Sequence, residues 1–204
     1  MLNVNQRKKL YAQLSDLFIY PTSELLPSVA EWDAEEIQRL FPDCPPLPPV
    51  EGNLLSDLEG AYTDLFINRL GGVPAPPYGS VYLEREPRLM GTTTQQVLAA
   101  YQKAGLALED SPEPPDYLPT ELEFLYFLID QEEQALKKGN IQAAREALSR
   151  QRAFFQEFFF PWVPTFCENI LRESNTHPLY RWGASLLQEF TAMEKKWLEA
   201  AAEK

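Results

Sequence analysis

The sequence lacks most of the residues on which common active sites depend. Among its 204 residues there is one histidine, His177, and there are two cysteines, Cys44 and Cys167, which form no CxxC pair. A Ser-His-Asp site or a histidine-rich metal site would have to rest on His177 alone. The phosphate-binding patterns GxxxxGK[S/T] and GxGxxG are missing, and so are paired Glu-x-x-His motifs. We therefore expect a protein that catalyses no reaction and holds no cofactor or metal.

Positive charge is scarce as well. The chain has 30 acidic against 18 basic residues, a formal charge of −12. Such a surface disfavours nucleic acid and anionic membrane faces, because both need clustered Lys and Arg. It favours a cationic ligand or peptide through electrostatic steering.

The segment 104–136 contains no Lys or Arg at all. Its acidic residues are Glu109, Asp110, Glu113, Asp116, Glu121, Glu123, Asp130, Glu132 and Glu133. They form either a solvated acidic face or an electrostatic receptor for a cation.

Long hydrophobic runs are also missing. No apolar run is long enough to cross a membrane, and the N-terminal stretch lacks the apolar core of a secretory signal. The 45% apolar and 12% aromatic content is enough for a packed core. Two distant cysteines are typical of one buried and one loop thiol in a reducing compartment. We expect a soluble cytoplasmic protein.

Apolar residues recur with helical spacing along nearly the whole chain. The stripes in 10–18, 54–66 and 179–197 place apolar side chains three or four residues apart. Asn53 is positioned as the N-cap of the second stripe. Helices are predicted to end at Gly105 and Gly139, because glycine tolerates the left-handed backbone that follows many helices. No alternating strand pattern of useful length occurs, so the predicted fold class is all-α.

Prolines mark the predicted connections. Twelve of the 18 prolines fall in three clusters, at 42–49, 74–77 and 112–119. Proline cannot continue a helix, so each cluster predicts a long connection. The third separates an N-terminal half, about 1–110, from a C-terminal half, about 120–204. We therefore expect a single helical domain whose halves are joined by a hinge at about 110–119.

The segment Gly71–Gly91, GGVPAPPYGSVYLEREPRLMG, is too rich in proline and glycine for a helix or a regular strand. Long irregular connections are usually binding loops or disordered linkers, and this one is too aromatic for a linker. Its tyrosines, Tyr78 and Tyr82, either contact a ligand or attach the segment to the core. The residues alone leave both interpretations open.

One carboxylate falls inside an apolar surface. The predicted helix 118–138 is apolar nearly all round, which is typical of a buried central helix. Glu121 lies within its apolar arc, where a charge needs a partner or a hydrogen bond. Either it reaches a backbone or tyrosine partner, or it lines a polar pocket for which Glu121 and Trp162 are the candidate residues.

Several segments, in order, resemble the TorD/DmsD family of cytoplasmic molybdoenzyme maturation chaperones, with the DmsD-like branch nearest. They are YTDLF (62–66), PAPPYGSVYLEREPRLMG (74–91), EPPDYLPTELEFL (113–125), FFFPWVPTF (158–166) and HPLYR (177–181). The resemblance extends over about residues 5–195. It implies an all-helical fold and no catalysis.

The resemblance also implies a partner. Family members recognise the twin-arginine signal peptide on a molybdoenzyme catalytic subunit and hold that subunit until the molybdopterin cofactor is inserted, before export. Association with the membrane export machinery would be at most transient. The oligomeric state stays open between a monomer and a domain-swapped dimer, because a proline-rich hinge between two helical halves permits domain swapping. The family's peptide-binding positions correspond here to Leu65, Phe66, Tyr78, Tyr82, Gly91, Pro114, Asp116 and Tyr117.

Two positions depart from the family pattern. Tyr117 follows Asp116 where the family commonly has histidine, and Phe158-Phe159 replace a His-Leu pair. Tyrosine cannot take up a proton near neutral pH, so protonation-dependent release loses its expected group.

The resemblance suggests a physical role for the tyrosine-containing segment. Tyr78 and Tyr82 would present rigid apolar area with polar tips, and Leu65 and Phe66 would extend it. Asp116 would supply a carboxylate for bidentate arginine contacts. Two alternatives are an assembly chaperone of the NarJ type, whose client has no export signal, and a nucleotide- or cofactor-handling enzyme with its site in the hinge.

Overall fold

The computed structural model describes residues 2–49, 54–84, 90–107 and 112–201. Within these ranges the chain forms α-helices and two π-helical segments and no strand, which confirms the all-α prediction. The α-helices are α1 Val4–Phe18, α2 Leu25–Ala30, α3 Ala34–Leu40, α4 Leu54–Tyr62, α5 Gly79–Leu83, α6 Thr92–Lys103, α7 Leu118–Lys137, α8 Ile141–Phe154, α9 Val163–Arg172 and α10 Pro178–Ala201. None of these helices is both long enough and apolar enough to cross a membrane.

The helix ends predicted at glycines are confirmed. After α6, Gly105 has a φ of 85°, and after α7, Gly139 has a φ of 69°. Both are left-handed conformations in which a side chain would be strained. Asn140 then caps α8, because its Oδ1 accepts a hydrogen bond from Ala143 N at 3.1 Å. The N-cap expected at Asn53 lies outside the described residues.

Two helices change to a wider turn at their C-terminal ends. α4 continues into the π-helical segment Thr63–Ile67, and α8 continues into Phe155–Phe159. The bonds Asn68 N to Thr63 O and Phe160 N to Phe155 O, both 2.8 Å, bridge five residues. The wider turn moves the last apolar side chains away from the position that a regular helix would give them.

The sequence patterns do not predict three short helices, α2, α3 and α5. Pro27 lies inside α2, as its third residue. Proline is tolerated there because the first N–H groups of a helix have no intrahelical acceptor. α3 is capped by Asp33, whose Oδ1 accepts from Glu36 N at 2.9 Å. α5 lies within the segment judged too rich in proline and glycine for a helix, and that prediction was wrong at Gly79–Leu83.

The chain divides into two compact units. Unit 1 consists of Met1–Ser15, Tyr78–Trp162 and Lys195–Lys204, and unit 2 consists of Asp16–Pro77 and Val163–Glu194. Each unit is therefore assembled from separate stretches of sequence. The hinge at about 110–119 stays a prediction.

Unit 1 has α7 at its centre. Three aromatic rings connect α6, α7 and α8. The ring centroid of Phe124 on α7 lies 4.4 Å from that of Tyr101 on α6 and 4.7 Å from that of Phe154 on α8. Arg7 of α1 is 2% exposed, and its Nη2 donates to Gln151 Oε1 at 2.9 Å. Its guanidinium carbon lies 3.7 Å from the ring centroid of Trp197, so α10 closes over α1 inside this unit.

Unit 2 is organised around an aromatic cluster. Its members are Phe18, Tyr62, Phe66, Phe166 and Tyr180. The side chains of both cysteines are buried in this unit as free thiols. Cys167 lies in α9 and Cys44 lies in a loop, as the sequence predicts, and the loop thiol is buried as well. Burial raises the pKa of Cys44 to about 11, so this thiol stays protonated and unreactive near neutral pH.

Candidate functional site

Asp116 joins two of the predicted site segments within unit 1. It is completely buried, and its backbone oxygen accepts a hydrogen bond from Gly79 N at 2.9 Å. Its Oδ2 accepts a second bond from Ser80 N at 2.7 Å. Tyr78 and Tyr117 form an isolated antiparallel bridge next to these bonds. Asp116 thereby satisfies the first N–H groups of α5, which explains why a helical turn forms in a segment of poor intrinsic propensity.

Glu121 is also completely buried, as its place in the apolar arc predicts. Its Oε2 accepts a hydrogen bond from Trp162 Nε1 at 3.2 Å. Of the two alternatives, this contact joins the two candidate pocket residues and involves no backbone or tyrosine group. Burial raises the pKa of Glu121 well above its usual value, and the neighbouring Asp116 charge raises it further. The bond from Trp162 opposes this rise. Both the burial and the Asp116 charge favour the protonated form of Glu121.

Gly79, Tyr82 and Trp162 pack closely around this carboxyl group. The Tyr82 and Trp162 rings stack with their centroids 5.3 Å apart and an interplanar angle of 27°. A methyl group on Gly79 would lie 3.1 Å from Trp162 Nε1 and 3.5 Å from Glu121 Oε1. Glycine at position 79 therefore lets the start of α5 approach the indole and the carboxyl group.

Two carboxyl oxygens in this cluster have no hydrogen-bond donor among the described residues. They are Asp116 Oδ1 and Glu121 Oε1, and both atoms are buried. A buried acceptor without a donor loses its hydration without compensation. An entering group with several N–H donors and a positive charge would satisfy both atoms, and guanidinium has this chemistry. We refer to Tyr78, Gly79, Tyr82, Asp116, Tyr117, Glu121 and Trp162 as the carboxylate cluster.

The rim of the cluster is held by further contacts. Tyr78 OH donates to Glu113 Oε2 at 2.8 Å, and the Tyr78 and Tyr117 rings lie 5.5 Å apart. Pro114 O accepts from Tyr117 N at 3.1 Å in a tight turn. Tyr78, Tyr82 and Pro114 are half-buried, whereas Tyr117 is buried. The described part of this connection is thus anchored, and its tyrosines both attach it to the core and keep some exposed area.

Gly91 has a structural role near this rim. It is buried and precedes α6, where Glu84 Oε1 accepts from Thr93 N at 2.9 Å. A methyl group at position 91 would overlap the Glu84 carboxylate. The missing side chain therefore allows Glu84 to cap α6.

We expect Gly91→Ala to lower the free energy of unfolding by about 1 kcal/mol, the usual effect of losing a helix cap. Displacement of the flexible Glu84 carboxylate is the cause. Urea denaturation of the purified protein measures the change. Gly60→Ala is the matched control, because nothing lies within 4 Å of the added methyl group in α4. Equal effects at both positions would contradict the capping role.

Leu65 and Phe66 are not part of the carboxylate cluster. Both belong to the π-helical segment of unit 2, and each is 4% exposed. Phe66 contacts the rings of Phe18, Tyr62, Phe166 and Tyr180. Leu65 O accepts from Ala75 N at 3.1 Å. In this structure the two residues are core residues of their own unit.

The acidic segment 104–136 is largely engaged in contacts inside unit 1. Lys8 pairs with Asp130 and, at 3.1 Å, with Glu133. Glu132 Oε2 accepts from Gln151 Nε2 at 2.7 Å. Glu123 Oε1 accepts from Ser15 Oγ at 3.3 Å. These acidic side chains therefore have polar partners, although Glu123 is exposed. Glu109 and Asp110 lie outside the described residues.

Two contacts, one in the carboxylate cluster and one beside it in sequence, have no signal in the residue types. Ser80 acts through its backbone N–H, which any residue would supply, so its identity carries no signal. Tyr101 OH donates to Pro115 O at 2.8 Å. Because Tyr101 belongs to the apolar stripe of α6, the sequence alone predicts an ordinary core residue there.

The single histidine, His177, has a local capping role at the start of α10. Its Nδ1 accepts a hydrogen bond from Leu179 N at 3.2 Å.

Comparison with known proteins places the chain in a family. Residues 33–168 match the family described as nitrate reductase delta subunit. The chain is 29% identical over 143 residues to the chaperone protein TorD of Vibrio vulnificus, a match that covers 70% of this chain and 64% of that protein. It is 28% identical over 202 residues to TorD of Psychrobacter sp., which covers 97% of this chain and 81% of the relative.

A solved structure shares the fold. A crystal structure from Archaeoglobus fulgidus, described as a redox enzyme maturation protein, superposes with a TM-score of 0.53 at 24% identity and covers 98% of this chain and 97% of the other. The match to the Vibrio vulnificus relative spans less than two thirds of that protein's length. The family match, however, covers more than half of this chain, and the chain therefore belongs to the TorD/NarJ family, the nitrate reductase delta subunit family.

Proposed function

We propose that the protein is a cytoplasmic redox-enzyme maturation chaperone of the DmsD-like type that carries out no reaction. It binds the twin-arginine signal peptide of a molybdoenzyme catalytic subunit and holds that subunit until its cofactor is inserted, before export. The names of its TorD relatives support the chaperone role. The observation that carries the proposal is the pair of buried oxygens without donors, Asp116 Oδ1 and Glu121 Oε1.

The cationic part of a signal peptide suits this pair. A guanidinium group offers five N–H donors in a planar fork and forms bidentate bonds to carboxylates. Because Asp116 and Glu121 are completely buried, an arginine reaches them only if the cover of the site shifts. α5 is a single turn of five residues, so its displacement breaks few backbone bonds. Binding of the arginine would also favour the ionised form of Glu121.

The apolar part of the peptide would meet the aromatic rim. Tyr78 and Tyr82 are half-buried and keep ring area available, and Pro114 and Tyr117 adjoin them. Aromatic rings give large contact area at low cost in side-chain entropy. Leu65 and Phe66 would support recognition by fixing the backbone of the Thr63–Ile67 segment, since both side chains are already packed.

We expect Asp116→Asn to weaken binding of a twin-arginine signal peptide by about 10- to 100-fold, because one charge-assisted hydrogen bond is lost. The asparagine keeps an oxygen for Ser80 N–H, so α5 retains its cap. Isothermal titration of the full-length protein with the synthetic peptide measures the affinity. Asp43→Asn, an exposed loop carboxylate, is the matched control. Unchanged affinity in Asp116→Asn, with intact thermal unfolding, would remove Asp116 from the site.

A second candidate function is suggested by the family description, which names a nitrate reductase subunit. A NarJ-type assembly chaperone would bind a client segment that has no twin-arginine motif. Replacing both arginines of the peptide by lysine separates the two functions, because lysine lacks the planar fork. A protein that recognises the twin-arginine motif binds the lysine peptide more weakly than the arginine peptide. Equal affinity for both peptides favours the NarJ-type function.

A further inference from the structure

Unit 1 contains a groove that is separate from the carboxylate cluster. It has a volume of about 340 Å³ and is lined by residues of α6, α7 and α8 and of the π-helical segment after α8. Its apolar lining consists of Ala99, Ala100, Phe124, Ala153, Phe154 and Phe158. Lys103 and Arg150 also line it. The groove thus combines an aromatic floor with two cationic side chains, in a chain whose net charge is −12.

The two cations have no carboxylate partner within the described ranges. Lys103 and Arg150 are exposed, and neither forms an ion pair with a described residue. Lys8, Arg69 and Arg172, by contrast, are paired with acidic side chains. The groove therefore keeps a positive charge that is available to an anionic group from outside.

The two cations lie at the same end of the groove. α8 runs antiparallel to α7, since Gln151 Nε2 donates to Leu128 O at 3.3 Å while the rings of Phe154 and Phe124 lie 4.7 Å apart. Arg150 precedes Phe154 by one turn and so lies toward Leu128. Glu157, which also lines the groove, lies one turn in the other direction.

α6 runs in the same direction as α7. Tyr101 contacts Phe124, and Gln131 Nε2 donates to Ala104 O at 3.5 Å further along both helices. Lys103 therefore lies at the same end as Arg150, and Gln96 lies at the end of Glu157. The groove has a cationic end and an end with an acid and an amide, which gives a bound segment a preferred direction.

The length of the groove fits two turns of a helix. Its lining extends over residues 96–103 of α6 and 150–158 along α8 and the π-helical segment. At 1.5 Å per residue each edge is about 10–12 Å long. An amphipathic helix anchors apolar residues at i, i+3, i+4 and i+7 over such a distance. The alanines at positions 99, 100 and 153 leave room for its approach.

We propose that this groove docks an amphipathic helix of a partner polypeptide, with apolar side chains against Phe124, Phe154 and Phe158 and carboxylates at the Lys103 and Arg150 end. The groove prefers a negatively charged segment, whereas a twin-arginine peptide is positively charged. The site does not depend on the proposed signal-peptide function, and a client protein could occupy both sites through different segments.

The test uses the full-length protein and a synthetic three-turn helix that has leucines at i, i+3, i+4 and i+7 and two glutamates at one end. A second peptide has lysines in place of the glutamates. The net charge of the protein alone would favour the lysine peptide. If the peptides dock in this groove, the glutamate peptide binds more tightly than the lysine peptide, and fluorescence anisotropy measures both affinities. The variant Lys103→Glu/Arg150→Glu is expected to lower the affinity for the glutamate peptide by about 10-fold, so that the lysine peptide becomes the tighter binder.

Two further variants complete the test. Arg145→Glu/Lys196→Glu makes the same charge change at exposed positions outside the groove lining and is expected to leave the peptide order unchanged. Ala153→Trp fills the groove from an exposed position and should abolish binding of the glutamate peptide. Affinity for a twin-arginine peptide should stay constant throughout.

Three outcomes would overturn the proposal. The first is no binding of the glutamate peptide, and the second is binding that neither the charge reversal nor Ala153→Trp weakens. The third is binding of octanoate at the groove without binding of the peptide, which would identify a site for small anionic amphiphiles instead.

Discussion

Trp162→Ala is expected to lower the free energy of unfolding by about 3–5 kcal/mol, the usual range for removing a buried tryptophan. The indole is fully buried, stacks on Tyr82 and donates to Glu121. Its loss leaves a cavity beneath α5 and a third carboxyl oxygen in the cluster without a donor. Chemical denaturation measured by far-UV circular dichroism gives the change.

Trp162→Phe separates packing from hydrogen bonding at the same position. It keeps most of the ring area but removes the N–H donor, so we expect a loss of about 1–3 kcal/mol from the unpaired Glu121 oxygen. The double variant Trp162→Phe/Glu121→Leu removes both partners and should recover part of this loss. A cost for Trp162→Ala no larger than that for Trp162→Phe would show that the stack on Tyr82 contributes little.

Glu121→Gln is expected to stabilise the protein progressively as the pH rises above the ordinary pKa of glutamate. The folded-state pKa of Glu121 is raised, by burial first and by Asp116 second. An acid with a raised folded-state pKa contributes its full stability below the unfolded-state pKa and loses it as the pH rises toward the folded-state pKa. Within that window the loss approaches roughly 1 kcal/mol per pH unit. Glutamine stays neutral and keeps an acceptor for Trp162.

The measurement is the difference in unfolding free energy between Glu121→Gln and wild type, followed from pH 5 to pH 8. Taking the difference removes the contribution of the other titrating groups. Glu199→Gln, at an exposed position of α10, is the control, and the profile of Glu121→Gln is compared with its profile. A flat profile for Glu121→Gln would mean that Glu121 is ionised in the folded protein, contrary to the effect of its burial.

Much of the helical architecture could be predicted from apolar periodicity and glycine positions. α6 and α7 end where Gly105 and Gly139 adopt left-handed backbone, because that conformation is a local property of glycine. The burial of Glu121 also follows from its place among apolar residues on α7. These features depend on neighbours within one or two helical turns, which the sequence displays directly.

The remaining features depend on contacts between distant segments. α5 forms because Asp116, far along the chain, satisfies its N-terminal N–H groups. A π-helical turn holds Leu65 and Phe66, both 4% exposed, and Phe66 packs in an aromatic cluster whose other members come from four positions of unit 2. Neither the turn nor the cluster has a local sequence signal, since both arise from tertiary packing.

The interleaved composition of the two units constrains how the chain can mature on the ribosome. Unit 1 takes in Lys195–Lys204 and unit 2 takes in Val163–Glu194, so neither is whole before most of the polypeptide has emerged. The Trp197 ring that covers the Arg7 guanidinium is synthesised long after Arg7 itself. α1 therefore emerges long before its partners around position 197, and a nascent chain that lacks those residues would expose apolar stripes of the kind that make unfinished proteins aggregate.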